Sequence, residues 1–240
     1  IYMLFAFAGT ADFDPSAAVA SLTSTPSSPA NKLDLAVAKY DRDGNFIWVR
    51  RIGGDNDERT GGLKADAAGN VYITGQFRGT TNFNGSFPRT ALGANSTDVL
   101  FAKMDTNGTF LWAGSIGSPL ATAANLFSDG GTAVDIDGAG NAYVSGRVYG
   151  PNTTVDFDPG TGTAPQAIID DRAGFVLKLD NSGIYQNHYV VEGAAGNEVS
   201  IDASGNIYFT GAFTGTVDID PGPGVFSVTG NGANYITKLN

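Results

Sequence analysis

Four segments of this chain align without a gap over nine residues: IYMLFAFAG from Ile1, VYITGQFRG from Val71, AYVSGRVYG from Ala142 and IYFTGAFTG from Ile207. The second residue is always tyrosine (Tyr2, Tyr72, Tyr143, Tyr208) and the ninth always glycine (Gly9, Gly79, Gly150, Gly215). The tyrosines are 70, 71 and 65 residues apart. A period of that size is longer than any single strand. It marks a supersecondary unit that buries its apolar face by stacking on its neighbours. Each segment mixes β-branched, aromatic and small residues, as a buried strand does.

Further elements recur in step. TADFDP follows from Thr10, TTNFNG from Thr80, TVDFDP from Thr154 and TVDIDP from Thr216. A lysine element reads LAVAKYD, VLFAKMD, FVLKLD and YITKLN, carrying Lys39, Lys103, Lys178 and Lys238. A tryptophan element reads FIWVRRIGG from Phe46 and FLWAGSIG from Phe110, with a degenerate IYQNHYVVEG from Ile184. A short element ends in Asp before the next tyrosine: LKADAAGN, AVDIDGAGN and VSIDASGN. Turns such as Asp41–Gly44 and Asp66–Gly69 join them. Asp opens such a turn through its side-chain oxygen, and Gly takes the positive-φ position. Tight hairpins make the joined strands antiparallel.

Each unit therefore reads as four principal strands: a short Asp-ended strand, a Tyr strand, a Lys strand and a Trp strand. That is the pattern of an all-β fold, a β-propeller of four-stranded antiparallel blades. Small residues (Ala65, Ala133, Ser200) place the Asp-ended strand innermost and the Trp strand outermost. A solenoid of hairpins is the alternative. The expected division is a partial blade over 1–54, complete blades over 55–118 and 119–193, and a partial blade over 194–240. These hold 14 strands. The expectation is that the chain belongs to a longer polypeptide, with a seven-bladed ring of two copies as the lesser alternative.

These motifs resemble the bacterial β-propeller repeats called SBBP repeats. The resemblance rests on GN-x-Y-x-[TS]-G, T-x-DFDPG, A-K-x-D-x-x-G-N-x-x-W and the I-G-G that follows, over nearly the whole chain. The first copy departs with Phe5 where the others have Gly75, Gly146 and Gly211, and the third departs at its outer strand. The resemblance implies a secreted or surface-attached protein and names no activity.

The net charge of −10 argues against nucleic acid as a partner, since phosphate binding needs clustered Lys and Arg. The absence of Cys removes disulfides, thiolate zinc sites and a Cys nucleophile. No run of about 18 apolar residues suggests a membrane span.

The sharpest candidates for chemistry are three pairs of acids: Asp12 with Asp14, Asp156 with Asp158, and Asp218 with Asp220. Asn82 and Asn84 take their place in the second copy. In an extended segment, residues two apart share a side. Each pair then presents carboxylates outward, as a hard cation such as Ca²⁺ requires, while Phe13, Phe83, Phe157 and Ile219 point inward. The competing reading is Asx hydrogen bonding within the turns before Pro15, Pro159 and Pro221. Asp41-Arg42-Asp43-Gly44-Asn45 resembles the start of a calcium loop but lacks the later acidic ligand, so a hairpin turn accounts for it better. His188, the only histidine, falls five before Gly193 as Trp48 falls before Gly53. It reads as a packing substitute for that tryptophan rather than as a general base. Trp48, Trp112 and the tyrosines read first as packing between blades and second as a sugar-stacking surface. The lysines are expected to pair with neighbouring Asp or cap the blade edge.

The functional expectation is a secreted or cell-surface bacterial scaffold or adhesion module with no enzymatic role, no certain cofactor and a protein or glycan ligand. The ligand is expected at the variable segments Ser16–Lys32, Ser86–Thr97, Gly160–Arg172 and Gly222–Ala233. A polysaccharide-acting hydrolase or lyase, or a carbohydrate-binding propeller, is the alternative. Non-repeating polar residues converging around the axis would favour it.

Overall fold

The computed structural model describes residues 1–25, 32–93, 96–119 and 129–239. The described chain is all β. The first unit holds β1 (Tyr2–Phe7), β2 (Thr10–Asp12), β3 (Ser21–Thr23), β4 (Asp34–Tyr40) and β5 (Phe46–Gly54). The second holds β6 (Glu58–Ala65), β7 (Val71–Arg78), β8 (Thr80–Phe83), β9 (Ser86–Thr90), β10 (Thr97–Met104) and β11 (Phe110–Ile116). The third holds β12 (Gly130–Ile136), β13 (Ala142–Tyr149), β14 (Thr153–Asp156), β15 (Pro165–Ile168), β16 (Arg172–Leu179) and β17 (Tyr185–Glu192). The fourth holds β18 (Ala194–Ile201), β19 (Ile207–Asp218) and β20 (Ser227–Leu239).

The principal strands form one antiparallel sheet per unit, in the orders β1-β4-β5, β6-β7-β10-β11, β12-β13-β16-β17 and β18-β19-β20. The register is identical in all four: Tyr2 faces Lys39, Tyr72 faces Lys103, Tyr143 faces Lys178 and Tyr208 faces Lys238. The Asp turns close as expected, with positive φ at Gly44, Gly108 and Gly183 (89°, 80° and 81°).

The structure has more strands than the 14 read from the sequence. β2–β3, β8–β9 and β14–β15 are small additional hairpins. Each is made by the Asp- or Asn-pair segment and the start of the variable segment after it. These strands are short, polar and largely exposed, so no alternation of apolar residues marks them. In the fourth unit the same hairpin is continuous with β19 and β20. β8 also pairs with β5, which adds the second unit's hairpin to the first unit's sheet. Residues 26–31 and 94–95, within two of the variable segments, lie outside the described residues.

The glycine at the fifth position of the Tyr strand is forced by the inner strand. A Cβ on Gly75, Gly146 or Gly211 would lie against the carbonyl of Arg59, Gly130 or Ala195. Each inner strand carries an irregularity in register there. The space left by the missing side chain is filled from across the sheet: Gly146 faces Phe175 and Gly211 faces Tyr235. In the first unit the pair is reversed, and Phe5 faces Ala36. No inner strand flanks β1 among the described residues, and the Phe5 ring packs 5.5 Å from that of Phe13. The departure at Phe5 is thus a cross-strand exchange that conserves volume.

Successive units pack face to face. Val71, Ile73 and Phe77 of the second cluster with Leu35, Val37 and Trp48 of the first. Ala142, Val144 and Val148 of the third cluster with Tyr72, Val99 and Phe101 of the second. Ile207 and Phe209 of the fourth cluster with Tyr143 and Val176 of the third. Phe83 and Phe157 are fully buried and Phe13 is 8 % exposed, as their inward placement requires.

Candidate functional site at the joints between units

The paired acids organise turns. Asp156 Oδ1 accepts from the N–H groups of Asp158 (3.0 Å) and Ala164 (2.7 Å), and Asp158 Oδ1 accepts from Gly160 (2.8 Å). In the first unit Asp12 Oδ1 accepts from Asp14 and Ala20, and Asp14 Oδ1 from Ser16. In the fourth, Asp218 Oδ1 accepts from the N–H groups of Asp220 (3.0 Å) and Phe226 (2.8 Å). Asp220 Oδ1 in turn accepts from the Gly222 N–H (2.8 Å). The Asp12 carboxyl is held below its usual pKa by the Ala20 and Asp14 N–H groups. Asn82 departs: its Oδ1 accepts from Gly85 and its amide donates to the Gly53 carbonyl.

Calcium is the ligand expected of Asp12, Asp14, Asp156, Asp158, Asp218 and Asp220, and in each pair the Oδ1 oxygens are engaged by turn N–H groups. No group of three or more acidic, His or Cys side chains suited to a metal occurs among the described residues. Asp218 and Asp220 each direct Oδ1 at a backbone N–H two residues on, and the other two pairs do the same, so these oxygens close turns. Asp41 Oδ1 likewise caps its hairpin, accepting from Asp43 and Asn45 (both 2.9 Å).

His188 does not occupy the tryptophan position. Lys39 faces Trp48 and Lys103 faces Trp112, whereas Lys178 faces Asn187. Counting from Gly193 misleads because that glycine matches Gly54 rather than Gly53, and Glu192 stands at the Gly53 position. His188 therefore points to the other face of its strand. It stacks on Phe157 at 4.4 Å, its Nδ1 is 2.8 Å from the Tyr185 hydroxyl, and burial holds its pKa down.

The tyrosine, lysine and tryptophan side chains grip the turns of the next unit. Tyr2 donates to the Gly69 carbonyl (2.7 Å), while Lys39 (2.9 Å) and Trp48 (3.1 Å) both donate to the Thr106 carbonyl. Arg50 adds bonds to the carbonyls of Gly108 and Asn107. One unit on, Tyr72 donates to Gly140 (3.0 Å), and Lys103 (3.3 Å) and Trp112 (3.1 Å) donate to Asn181. Of the two expectations for the lysines, pairing with Asp or capping an edge, these two bond carbonyl and side-chain oxygens of the next unit's turn rather than an aspartate. At the third joint no matching Tyr, Lys or Trp bond to the next unit's turns is found among the described residues: Tyr143 turns back to Asp137 of its own unit (3.1 Å).

Beneath this layer lie buried acids that the repeat pattern hides. Asp34 faces Gly53 and Asp98 faces Gly117. A Cβ on either glycine would fall on the facing carboxylate. Asp34 accepts from the Thr25 N–H (3.0 Å) and pairs with Arg51 (2.9 Å), and Asp98 accepts from the Leu92 N–H (3.0 Å). Each thus ties down the strand returning from the small hairpin. The next unit brings a second acid to each: Glu58 to Asp34, and Asp129 to Asp98. Glu58 is fully buried, with the Thr81 hydroxyl and the Asp34 carboxyl beside it. Burial, reinforced by Asp34, pushes it up to about 9. Asp129 accepts from Ser118 and Tyr149, and burial pushes it and Asp98 up to about 7. In the third unit the arrangement is exchanged. Ala173 faces Glu192, whose Oε2 accepts from Ile169 and Asp170 (both 3.2 Å). The signal in the sequence was an Asp just before the Lys element paired with a Gly in the Trp element.

No family model matches the chain. Among curated proteins, it is similar to one described as an uncharacterized WD repeat-containing protein of Acanthamoeba polyphaga mimivirus, at 25 % identity over 226 residues. The match takes in 82 % of this chain, which spans about 15 % of that protein's length. The likeness supports a repeat protein of propeller type and lends no support to the SBBP repeats in particular.

Proposed function

We propose that the chain is a run of β-propeller blades acting as a non-enzymatic scaffold or binding module, secreted or displayed at a bacterial surface. One observation carries this reading: nearly every repeated polar side chain is engaged in turns or in bonding one unit to the next. The tyrosine, lysine and tryptophan ladders of the first two joints are the main case. Side chains bonded to backbone in this way are held for architecture, not for turnover. Electron microscopy of the intact parent polypeptide tests the fold: a ring of blades is expected, and a rod of stacked hairpins overturns it. Release of reducing ends from a panel of polysaccharides would overturn the non-enzymatic part.

A further unit of the same repeat is proposed to cover each outer face. Val71 and Ile73 are at most 1 % exposed, but Ile1 and Met3 at the same positions are 61 % and 46 % exposed. They line an apolar groove with Phe5, Phe7, Phe13 and Tyr40. At the other end Ile236 is 66 % exposed, whereas Phe101 and Val176 at its position are buried. Light scattering of this chain tests one source: a dimer means a second copy supplies the unit, and a monomer removes that source.

A further inference from the structure

One rung of the inner strands breaks the repeat. In the second unit Arg59 faces Gln76, in the third Gly130 faces Arg147, and in the fourth Ala195 faces Ala212. These are equivalent positions, so four-blade architecture requires none of the polar side chains. Yet β6 and β12 lie side by side, and a Cβ on Gly61 would meet the Gly131 carbonyl. Their closeness brings Arg59, Gln76 and Arg147 together around a cavity of about 330 Å³, with Thr60 and Thr132 on its wall. The floor is glycine backbone: a Cβ on Gly130 would strike the Gln76 amide oxygen.

The three side chains are uncommitted. Among the described residues none of Arg59, Gln76 and Arg147 makes an ion pair or hydrogen bond. Arg147 Nε is shielded from solvent and unpaired. A buried guanidinium N–H without an acceptor is costly, and native structures leave few of them. The neighbouring acids do not serve. Glu58 and Asp129 precede Arg59 and Gly130 by one residue and so face the opposite side of their strands. In a chain of net charge −10, two free guanidiniums on one rung make a local positive site.

We propose that this cavity binds an oxyanion, a carboxylate or phosphate group carried by a ligand about the size of one sugar. The guanidinium fork matches both groups, and bonds to it are charge-assisted. Gln76 and Thr60 supply an amide and a hydroxyl for the hydroxyl groups of such a ligand.

The test is calorimetric titration of the whole chain with galacturonate, glucose 6-phosphate, inorganic phosphate and, as a neutral control, glucose. Binding of a sugar acid or a phosphate, with none of glucose, is expected. Binding confined to the first identifies a carboxylate ligand, and binding confined to the phosphates a phosphate ligand. Arg59→Gln and Arg147→Gln should each weaken it by about tenfold or more, as loss of a charge-assisted hydrogen bond implies. Arg42→Gln, in an exposed hairpin turn, should leave it unchanged. Arg59 is exposed, so its variant tests the site even if Arg147→Gln fails to fold. No binding by any of the three anions, or equal binding by the Arg59→Gln protein, overturns the proposal.

Discussion

The first two joints and the third are built from the same strands in the same register, but they are held together differently. At the first two, Tyr, Lys and Trp reach across to the next unit's turns, and a carboxyl from each side is buried between them. At the third, Asn187 stands for the tryptophan and Tyr143 bonds its own unit. Ala194 stands for Glu58 and Asp129. What crosses that joint is apolar packing together with bonds between the inner strands: Asp135 accepts from the Ile201 N–H at 2.8 Å, and the Thr132 hydroxyl donates to the Gly196 carbonyl at 3.3 Å. Apolar packing with a few inner-strand bonds suffices to stack these units, so the Tyr, Lys and Trp layer of the other joints adds register and specificity.

Removing the largest element of that layer should expose the difference most. Trp48 is 7 % exposed and packs against the second unit. Trp48→Ala is expected to cost about 3 kcal/mol, the lower end for a buried tryptophan. Asn187→Ala, exposed at the equivalent place, should stay within about 0.5 kcal/mol. Urea denaturation measures both, and equal losses would remove the distinction between the joints.

Exchanging the acids sharpens it. Gly117→Glu alone places a side chain on the Asp98 carboxylate, and Asp98→Ala alone strands the Leu92 N–H. Together they reproduce the Ala173–Glu192 arrangement. The double variant should be more stable than the sum of the singles by about 2 kcal/mol, a coupling typical of residues in contact. Additive losses would show that the third unit's exchange is not transferable.

The pH dependence follows from the same groups. Asp98 and Asp129 carry raised folded values near 7 against an ordinary 3.8. The folded state then binds more protons than the unfolded chain between those values. Their contribution is whole below pH 3.8 and is lost as pH rises through about 7. Glu58 extends the decline to about pH 9. The turn acids Asp12, Asp41 and Asp202, whose values are lowered, act oppositely and lose their contribution only in stronger acid. Stability should therefore peak in mild acid and fall toward neutrality, by at most about 1.4 kcal/mol per pH unit for each titrating group. Asp129→Asn should flatten the slope between pH 4 and 7, a range set by the same two values. A stability plateau from pH 4 to 8 in the unmodified chain would contradict the buried pair.

Much of the fold was legible because it repeats. Tyr72 opposite Lys103, and the turn glycines, could be read directly, since a repeated residue at a fixed offset reports a repeated contact. Two kinds of feature could not. The small hairpins carry no apolar alternation, and Ser86–Thr90 reads as a loop until its partner Thr80–Phe83 is seen. Glu58 and Asp129, and the Arg59–Arg147 cavity, meet their partners between units, where no sequence spacing places residues together. Exchanges such as Phe5 for Ala36 are legible only once cross-strand partners are known.

The paired acids, the most visible candidates, mark the small end of this scale. Asp156 Oδ1 satisfies two N–H groups of an exposed turn, as Asp218 Oδ1 does beside Asp220, and exposed bonds of this kind contribute about 1 kcal/mol or less. Asp156→Ala should lower stability by that amount. Asp156→Asn should lower it by less, because the amide oxygen still accepts and Asn82 serves the second unit's hairpin in that way. If turn formation is their whole role, added Ca²⁺ should leave the melting temperature of the chain unchanged. A calcium-dependent rise that Asp156→Asn abolishes would instead make the same carboxylates ligands, since a cation bound only by the folded chain stabilises it by mass action. That outcome would transfer functional weight from the buried joints to the exposed rim.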